Sequence, residues 1–133
     1  MDLYRELILD HYKHPRNFGH LDHSDATASD NNITCGDQIV MEIHTSKRKK
    51  GKKQEIIVED IRFSGEGCAI NQASASMLTE KVVGLRLEDI LKLKTEDIEE
   101  MLGTELTPSR IKCAVLPLEV LQKAAGKIKS SVG

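Results

Sequence analysis

The stretch Phe63-Ser64-Gly65-Glu66-Gly67-Cys68-Ala69-Ile70 separates two parts of the sequence that have different patterns. Before it, residues 37–45 alternate between apolar and polar side chains and residues 55–63 are rich in β-branched ones, so both segments predict strands. After it, residues 68–82 consist largely of small side chains and are followed by Gly84, which predicts a helix that ends there. Strands that pair early in the chain, followed by helices, are typical of an α+β arrangement.

The rest of the chain adds further predicted helices. Apolar residues at helical spacing, with a capping residue or a proline at the start, predict them at residues 2–13 behind Asp2, at 87–94, at 95–102 with Thr95 as N-cap, and from Pro108 towards Ile128. Residues 14–32 are rich in Asn, Asp, Ser, Gly and His, which predicts a loop with at most one irregular edge strand. At about 100 to 200 residues per domain, we expect residues 1–133 to form one α+β domain with a small antiparallel sheet packed against helices.

The composition argues against several kinds of function. Aromatic residues make up 3% and Trp is absent, so no platform of rings is available for stacking on nucleobases. The formal net charge of −2 provides no overall attraction for nucleic acid. No stretch reaches the roughly 18 to 20 apolar residues that cross a bilayer, and residues 1–10 lack the pattern of a secretory signal. We therefore expect a cytoplasmic protein that binds neither nucleic acid nor membranes.

Six basic residues stand in one run, Lys47-Arg48-Lys49-Lys50-Gly51-Lys52-Lys53, between the two predicted strands. This run predicts the turn of an antiparallel hairpin, because lysines keep exposed hairpin tips and sheet edges in water. An adaptor that binds an acidic partner through the same run is the alternative that this charge pattern allows.

The cysteines Cys35, Cys68 and Cys113 are the best candidates for chemistry. An odd number of cysteines in a reducing compartment favours metal binding or catalysis over disulfides, although each could also be a small buried hydrophobic residue. They lack the paired spacing of a zinc finger, so separate elements would have to bring them together. Asp37 shares a face with Cys35 if that segment is extended. Three thiolates and one carboxylate would complete a tetrahedral zinc site or the coordination of a [2Fe–2S] cluster.

The neighbours of the cysteines favour thiolates. Gly36 lets the backbone come close to a bound group, and Cys68 begins a predicted helix, where unpaired N–H groups favour negative charge. Arg110 and Lys112 bring two cations near Cys113, and we expect them to stabilise its thiolate or to orient a partner.

Pro117 follows Cys113 by four residues. Inside a continuous helix it would leave the Cys113 carbonyl without its usual donor and could make this thiol mobile. The alternative is that Pro117 lies in the first turn of a separate helix.

Several motifs in this sequence resemble the IscU/SufU family of iron–sulfur cluster assembly proteins, which includes the N-terminal part of NifU. The motifs cover nearly the whole chain, and they are Tyr4-Arg5-Glu6-Leu7-Ile8-Leu9-Asp10-His11-Tyr12, Pro15-Arg16-Asn17-Phe18-Gly19, Thr34-Cys35-Gly36-Asp37, Phe63-Ser64-Gly65-Glu66-Gly67-Cys68-Ala69-Ile70, Ala73-Ser74-Ala75-Ser76-Met77 and Arg110-Ile111-Lys112-Cys113. The resemblance implies an IscU-like scaffold without enzymatic turnover. Such a scaffold builds a labile [2Fe–2S] cluster from iron and desulfurase-derived sulfur, and then transfers it to apo iron–sulfur proteins.

The resemblance also assigns roles to individual residues. It implies that Cys35, Cys68 and Cys113 are cluster ligands and sulfur acceptors, with Cys113 as the expected acceptor. It further implies that Asp37 is the fourth ligand or the group that keeps the cluster labile. A carboxylate is a harder and weaker partner than a thiolate for a thiophilic cluster, which suits a cluster that must be released.

Two departures from the IscU pattern bear on function and partners. Lys112 stands where IscU proteins have a histidine, and Arg110-Ile111-Lys112-Cys113 resembles SufU, a zinc-dependent sulfurtransferase that accepts persulfide from a cysteine desulfurase. Zn²⁺ in the same site is therefore the alternative, although the short connection 85–107 resembles IscU. The stretch Leu106-Thr107-Pro108-Ser109-Arg110 differs from the segment that IscU offers to its Hsp70-type chaperone, so that partner is not carried over.

Overall fold

In the computed structural model, which describes residues 3–132, the chain forms a three-stranded antiparallel sheet and a set of helices. The elements in chain order are α1 (Leu3–Lys13), β1 (Ala26–Asn32), β2 (Asp37–Lys50), β3 (Lys53–Glu66), α2 (Ala69–Val82), α3 (Leu87–Leu91), α4 (Thr95–Leu102) and α5 (Pro108–Val132). The predicted α+β class with a small antiparallel sheet is confirmed. The predicted capping residue Asp2 lies outside the described residues.

The sheet has the order β1-β2-β3, and its core face is built from alternate residues of β2 and β3. Ile39, Met41 and Ile43 of β2 are fully buried, as are Ile61 and Phe63 of β3. Helices α2 and α5 pack against this sheet. The intervening residues of β2 lie on the opposite face, so the alternation in the sequence correctly predicts which side faces the core.

The predicted hairpin turn is too long, because only two residues of the basic run 47–53 form the turn. Strands β2 and β3 continue through the basic run, with Lys47 paired to Ile56 and Lys50 paired to Lys53. The turn itself is Gly51 and Lys52, and Gly51 has a φ of 64°. Paired strands satisfy each other's backbone groups, and the basic side chains near the tip remain exposed. A polar sequence is therefore compatible with a two-stranded ribbon.

Strand β1 replaces most of the predicted loop before Cys35 and pairs with β2 along its whole length. Its carbonyls also accept hydrogen bonds from α5: Lys127 Nζ donates to Thr27 O over 2.6 Å, and Lys123 Nζ donates to Ser29 O over 3.3 Å. Tertiary pairing and these lysines stabilise a segment whose own residues have low strand propensity.

Helix α2 is the central helix of the fold and is buried on nearly all sides. It contacts α1, α4, α5 and β3. Its small side chains allow this close packing, and its buried polar residues hydrogen-bond to neighbouring elements. Ser76 Oγ lies 2.7 Å from His11 Nδ1, and Ser74 Oγ donates to Ala114 O over 2.6 Å.

Helix α5 is continuous from Pro108 to Val132 and contains Pro117, so the prediction of a separate helix at Pro117 is wrong. The N-cap of α4 is Lys94 and not Thr95, because Asp97 accepts a hydrogen bond from the Lys94 backbone N–H. Helix α3 ends at Leu91, before the predicted residue 94. Among the described residues, no helix is both long and apolar enough to span a membrane.

Candidate metal centre

Three of the four predicted ligands meet where the β1–β2 turn approaches the start of α5. One ligand atom from each of Cys35, Asp37 and Cys113 lies within 4.8 Å of the other two. Asp37 is the first residue of β2 and Cys113 lies in the second turn of α5; both are buried. Cys35 is exposed and lies in a turn at residues 33–36, where Gly36 has a φ of 71°. The predicted extended conformation of Cys35 is therefore wrong, but its sulfur still reaches Asp37.

Cys68, the fourth predicted ligand, lies beside this group without belonging to it. It is the N-cap of α2 and is half-buried. Its backbone N–H donates to Asp37 Oδ1 over 3.1 Å, which fixes the carboxylate against the beginning of α2. All three cysteines are free thiols.

One oxygen of the Asp37 carboxylate accepts a hydrogen bond from the described part of the chain and the other does not. Oδ1 accepts the hydrogen bond from Cys68, whereas Oδ2 is buried and has no hydrogen-bond partner among the described residues. A buried carboxylate oxygen without a partner costs free energy unless a cation or donor completes it. This oxygen beside two thiols fits a thiophilic metal ion or a metal–sulfur cluster.

The environment of Cys113 disfavours its thiolate in the absence of a cation. Burial raises the pKa of the Cys113 thiol well above its ordinary value, and the neighbouring side chains of Cys35, Asp37 and Cys68 raise this pKa further. Arg110 and Lys112 are both exposed, and their stabilisation of the Cys113 thiolate stays a prediction. A bound metal ion would reverse this balance, since coordination deprotonates a thiol.

The backbone next to Cys113 is held by residues that the sequence analysis did not identify. The Cys113 carbonyl, which lacks its helical donor because of Pro117, accepts a hydrogen bond from Asn71 Nδ2 over 3.0 Å. The next carbonyl, that of Ala114, is bound by Ser74. These bonds hold the third thiol against α2 and favour a fixed rather than a mobile ligand. Two features of the sequence could have indicated this bond. Asn71 is a polar residue in a helix whose pattern predicts burial, and Pro117 removes the helical donor of the Cys113 carbonyl.

Gly67 also leaves space for this arrangement. A Cβ atom at Gly67 would overlap Asn71 Oδ1 and would lie 2.7 Å from Asp37 Oδ1. Glycine at this position thus allows the carboxylate and the amide to approach the turn into α2.

The fold and this site define a small α+β protein in which two cysteine thiols and a buried carboxylate meet as candidate metal ligands. The chain belongs to the family described as the NifU-like N terminal domain, which matches residues 3–132. The resemblance predicted from the sequence motifs is confirmed.

Named relatives fall into two groups. The chain is 39% identical to the zinc-dependent sulfurtransferase SufU of Bacillus subtilis (strain 168), over 94% of this chain and 90% of that protein. It is 35% identical to the iron-sulfur cluster assembly scaffold protein IscU of Escherichia coli (strain K12), over 96% of this chain and 94% of that protein.

Solved structures share the fold. A putative iron-sulfur cluster assembly scaffold protein for the SUF system from Fervidobacterium islandicum AW-1 has a TM-score of 0.67 at 26% identity, covering 90% of this chain and 94% of that chain. A NifU-like N-terminal protein from Brucella abortus has a TM-score of 0.68 at 18% identity, covering 96% and 95% of the two chains.

Proposed function

We propose that this protein is a scaffold on which a labile [2Fe–2S] cluster is assembled from iron and desulfurase-derived sulfur, and from which the cluster passes to apo-proteins. The observation that supports it most directly is the buried Asp37 Oδ2, which has no hydrogen-bond partner among the described residues and belongs to a carboxylate beside Cys35 and Cys113. The cluster is cargo for Cys35, Asp37, Cys68 and Cys113, and the protein itself turns over no substrate.

The proposed ligands can both hold the cluster and release it to an acceptor protein. Thiolates bind iron strongly, whereas a carboxylate is a harder and weaker ligand for a thiophilic cluster. Asp37 therefore provides the position at which an acceptor protein's thiolate can replace a ligand of the scaffold. Its hydrogen bond from Cys68 keeps the carboxylate in place during that exchange.

Sulfur arrives as a persulfide on the cysteine desulfurase. A thiolate of this chain attacks the outer sulfur, a new S–S bond forms, and the desulfurase thiolate leaves. A reductant then supplies two electrons for each transferred sulfur, which breaks this S–S bond, frees the thiolate of this chain and gives the sulfide of the cluster. The resemblance assigns acceptance to Cys113, but Cys113 is 2% exposed whereas Cys35 is open to solvent. We therefore propose that Cys35 meets the incoming persulfide first and that Cys113 accepts sulfur once the partner has displaced the turn at 33–36.

The partners in this proposal are a cysteine desulfurase and apo iron–sulfur proteins. Arg110 and Lys112 are exposed on the first turns of α5, next to Cys113, and in this proposal they orient the desulfurase. The proposal also puts the protein in the cytoplasm, where reducing conditions keep the three cysteines as thiols.

A zinc-dependent sulfurtransferase is the second candidate function. It is favoured by the relative that carries this description and by the ligand group itself, in which no described histidine takes part. Cys35, Asp37, Cys68 and Cys113 would hold Zn²⁺, which keeps bound thiols deprotonated. This chain's own residues would then present one thiol to the persulfide when the desulfurase binds.

One reconstitution experiment distinguishes the two functions. The protein is purified without oxygen, its zinc and iron are measured, and desulfurase, cysteine, ferrous iron and a thiol reductant are then supplied. For a scaffold we expect a [2Fe–2S] absorption spectrum and transfer of the cluster to an apo-ferredoxin. Tightly bound zinc, no cluster and strong stimulation of desulfurase turnover would instead identify a sulfurtransferase.

Substitution of Asp37 tests the proposed basis of release. In Asp37→Cys a fourth thiolate replaces the carboxylate, so we expect the cluster to be held more firmly and transferred more slowly, by about tenfold or more. Asp22→Asn, on an exposed residue, is the control. Transfer from Asp37→Cys at the rate of the unmodified protein would contradict the proposed role of Asp37.

A further inference from the structure

A second group of metal-ligating side chains lies on the sheet, away from the cysteines. One ligand atom from each of His23, Asp25 and His44 lies within 4.8 Å of the other two. None of the motifs that carry the family resemblance includes these three residues. His23 and Asp25 precede β1, whereas His44 is on β2, so only the folded sheet brings them together.

The group is separate from the cysteine site. His44 follows Asp37 by seven residues on β2, which is about 23 Å at 3.3 Å per residue. Asp37 lies on the core side with Ile39 and Ile43, whereas His44 lies on the opposite side of the strand.

The separation between His44 and Asp25 matches that of two ligands of one ion, and the separation between His23 and Asp25 is slightly longer. His44 Nδ1 lies 3.0 Å from Asp25 Oδ2, and His23 Nε2 lies 3.8 Å from Asp25 Oδ1. Two ligands bound at about 2.0 to 2.2 Å to one zinc ion are roughly 3 to 3.5 Å apart. His44 Nδ1 is buried and, despite its distance to Asp25, has no aligned hydrogen-bond partner among the described residues. No described side chain nearby therefore forms a hydrogen bond with this nitrogen, and its lone pair is available to a metal ion.

The backbone holds two of the ligands in place. Asp25 Oδ2 accepts a hydrogen bond from the Thr45 backbone N–H over 2.6 Å and another from Thr45 Oγ1 over 3.1 Å. The pairing of β2 and β3 shifts between His44 and Thr45, so Glu59 is left without a paired residue on β2. Such bulges redirect side chains at functional positions.

The bulge gives His44 a carboxylate partner on its other nitrogen. His44 Nε2 lies 3.6 Å from Glu59 Oε2. Metal-ligating histidines commonly donate their second ring N–H to a carboxylate, which fixes the ring and makes the ligating nitrogen more basic. His44 thus has Nδ1 facing Asp25 and Nε2 facing Glu59, although the 3.6 Å separation from Glu59 is longer than a hydrogen bond.

We propose that His23, Asp25 and His44 form a second metal site that binds a borderline divalent cation, with zinc as the reference ion. Two imidazoles and one carboxylate suit zinc and its late first-row neighbours, in contrast to the thiolates of the cysteine site. Because the chain supplies three ligands and His23 is largely exposed, a coordination position remains open to water or to a further ligand.

Zinc binding to the full-length protein tests this proposal. We expect equilibrium dialysis against zinc to give two ions per chain for the unmodified protein, one for Cys35→Ser and one for His44→Gln. His20→Gln, which changes an exposed histidine outside the group, should retain two. A zinc count that is the same in His44→Gln as in the unmodified protein would overturn the proposal, whether or not the cysteine site binds zinc.

Two further variants keep the test decisive if His44→Gln does not fold. The His23 side chain is 79% exposed, so His23→Gln leaves the core intact and should weaken only the second zinc ion. Glu59→Gln should weaken that ion by about 10- to 100-fold through the orientation of His44. In NMR spectra, zinc should shift the ring signals of His23 and His44 but not that of His20. Equal or absent shifts at all three histidines would overturn the assignment.

Discussion

Asn71 of α2 donates its side-chain amide to the backbone carbonyl of Cys113 of α5, with 3.0 Å between Nδ2 and O. Pro117 cannot provide the N–H that this carbonyl would receive in an ordinary helix. Gln72 donates in turn to the oxygen of the Asn71 amide over 3.0 Å, which orients the group. The buried amide of Asn71 thus supplies the hydrogen bond that Pro117 cannot give, and it does so at Cys113, the third candidate cysteine ligand.

Replacement of Asn71 by alanine should destabilise the protein by about 1 to 3 kcal/mol, because the Cys113 carbonyl becomes a buried acceptor without a donor. Urea unfolding measures the loss, and faster amide exchange at residues 113–118 would locate it. Asn31→Ala, at an exposed position of β1, should change stability by less than about 0.5 kcal/mol. Equal effects of the two substitutions would contradict a specific role for the Asn71 amide.

A double-mutant cycle tests whether Asn71 acts through the proline. In Pro117→Ala the new backbone N–H is available to the Cys113 carbonyl, so Asn71→Ala should cost about 1 kcal/mol less in this background than in the unmodified protein. The four unfolding free energies of the cycle measure this coupling. Strict additivity would mean that the amide stabilises the fold independently of Pro117.

Gly67 and Gly126 form a matched pair for the same substitution. At Gly67 an added methyl group would meet Asn71 and Asp37, so Gly67→Ala should displace the carboxylate and weaken zinc binding at the cysteine site by about tenfold or more. At Gly126 the added group would meet no atom within 4 Å apart from its chain neighbours and the backbone of its own helix, and alanine should stabilise α5 by about 0.5 to 1 kcal/mol. Zinc titrations and thermal unfolding of both variants check these opposite outcomes.

His11 should make stability depend on pH. It is 5% exposed, and burial lowers its pKa, with a further lowering by the Arg16 charge that Glu80 and Asp10 oppose. Because the unfolded chain takes up the proton more readily, stability is fully present above about pH 6.5 and falls as the pH drops below that value towards the folded-state pKa.

Urea unfolding at pH 7.5 and pH 5.5 measures the His11 contribution. His11→Gln should reduce the difference between the two conditions, whereas His20→Gln, at an exposed histidine, should retain it. An unchanged difference in His11→Gln would show that other groups carry the pH dependence.

The sequence predicts the core well because its signals are local. Alternation at Ile39, Met41 and Ile43 reflects burial of one face, and this pattern needs no knowledge of the partner strand. By contrast, β1 depends on pairing with β2 and on lysines of α5 that follow it by almost a hundred residues. Local propensity contains none of that information, so the segment resembles a loop.

The candidate sites show the same contrast between what local sequence predicts and what depends on long-range contacts. The predicted ligand set follows from residue type and from the family resemblance, and it consists of Cys35, Asp37, Cys68 and Cys113. The structure brings Cys35, Asp37 and Cys113 together and leaves Cys68 beside them. The contributions of Asn71 and of the His23–Asp25–His44 group arise only when distant elements meet. A buried amide or a pair of scattered histidines has many ordinary uses, so neither is specific in the sequence alone.

The lysines of α5 that bind the carbonyls of β1 have a consequence for self-association. Strand β1 is at an edge of the sheet, and an edge strand with open carbonyls can template pairing with another chain. Lys123 and Lys127 already occupy the carbonyls of Ser29 and Thr27, so an incoming strand would have to displace two ammonium groups before it could pair. The long helix that carries Cys113 thereby also protects the sheet against growing into a polymer.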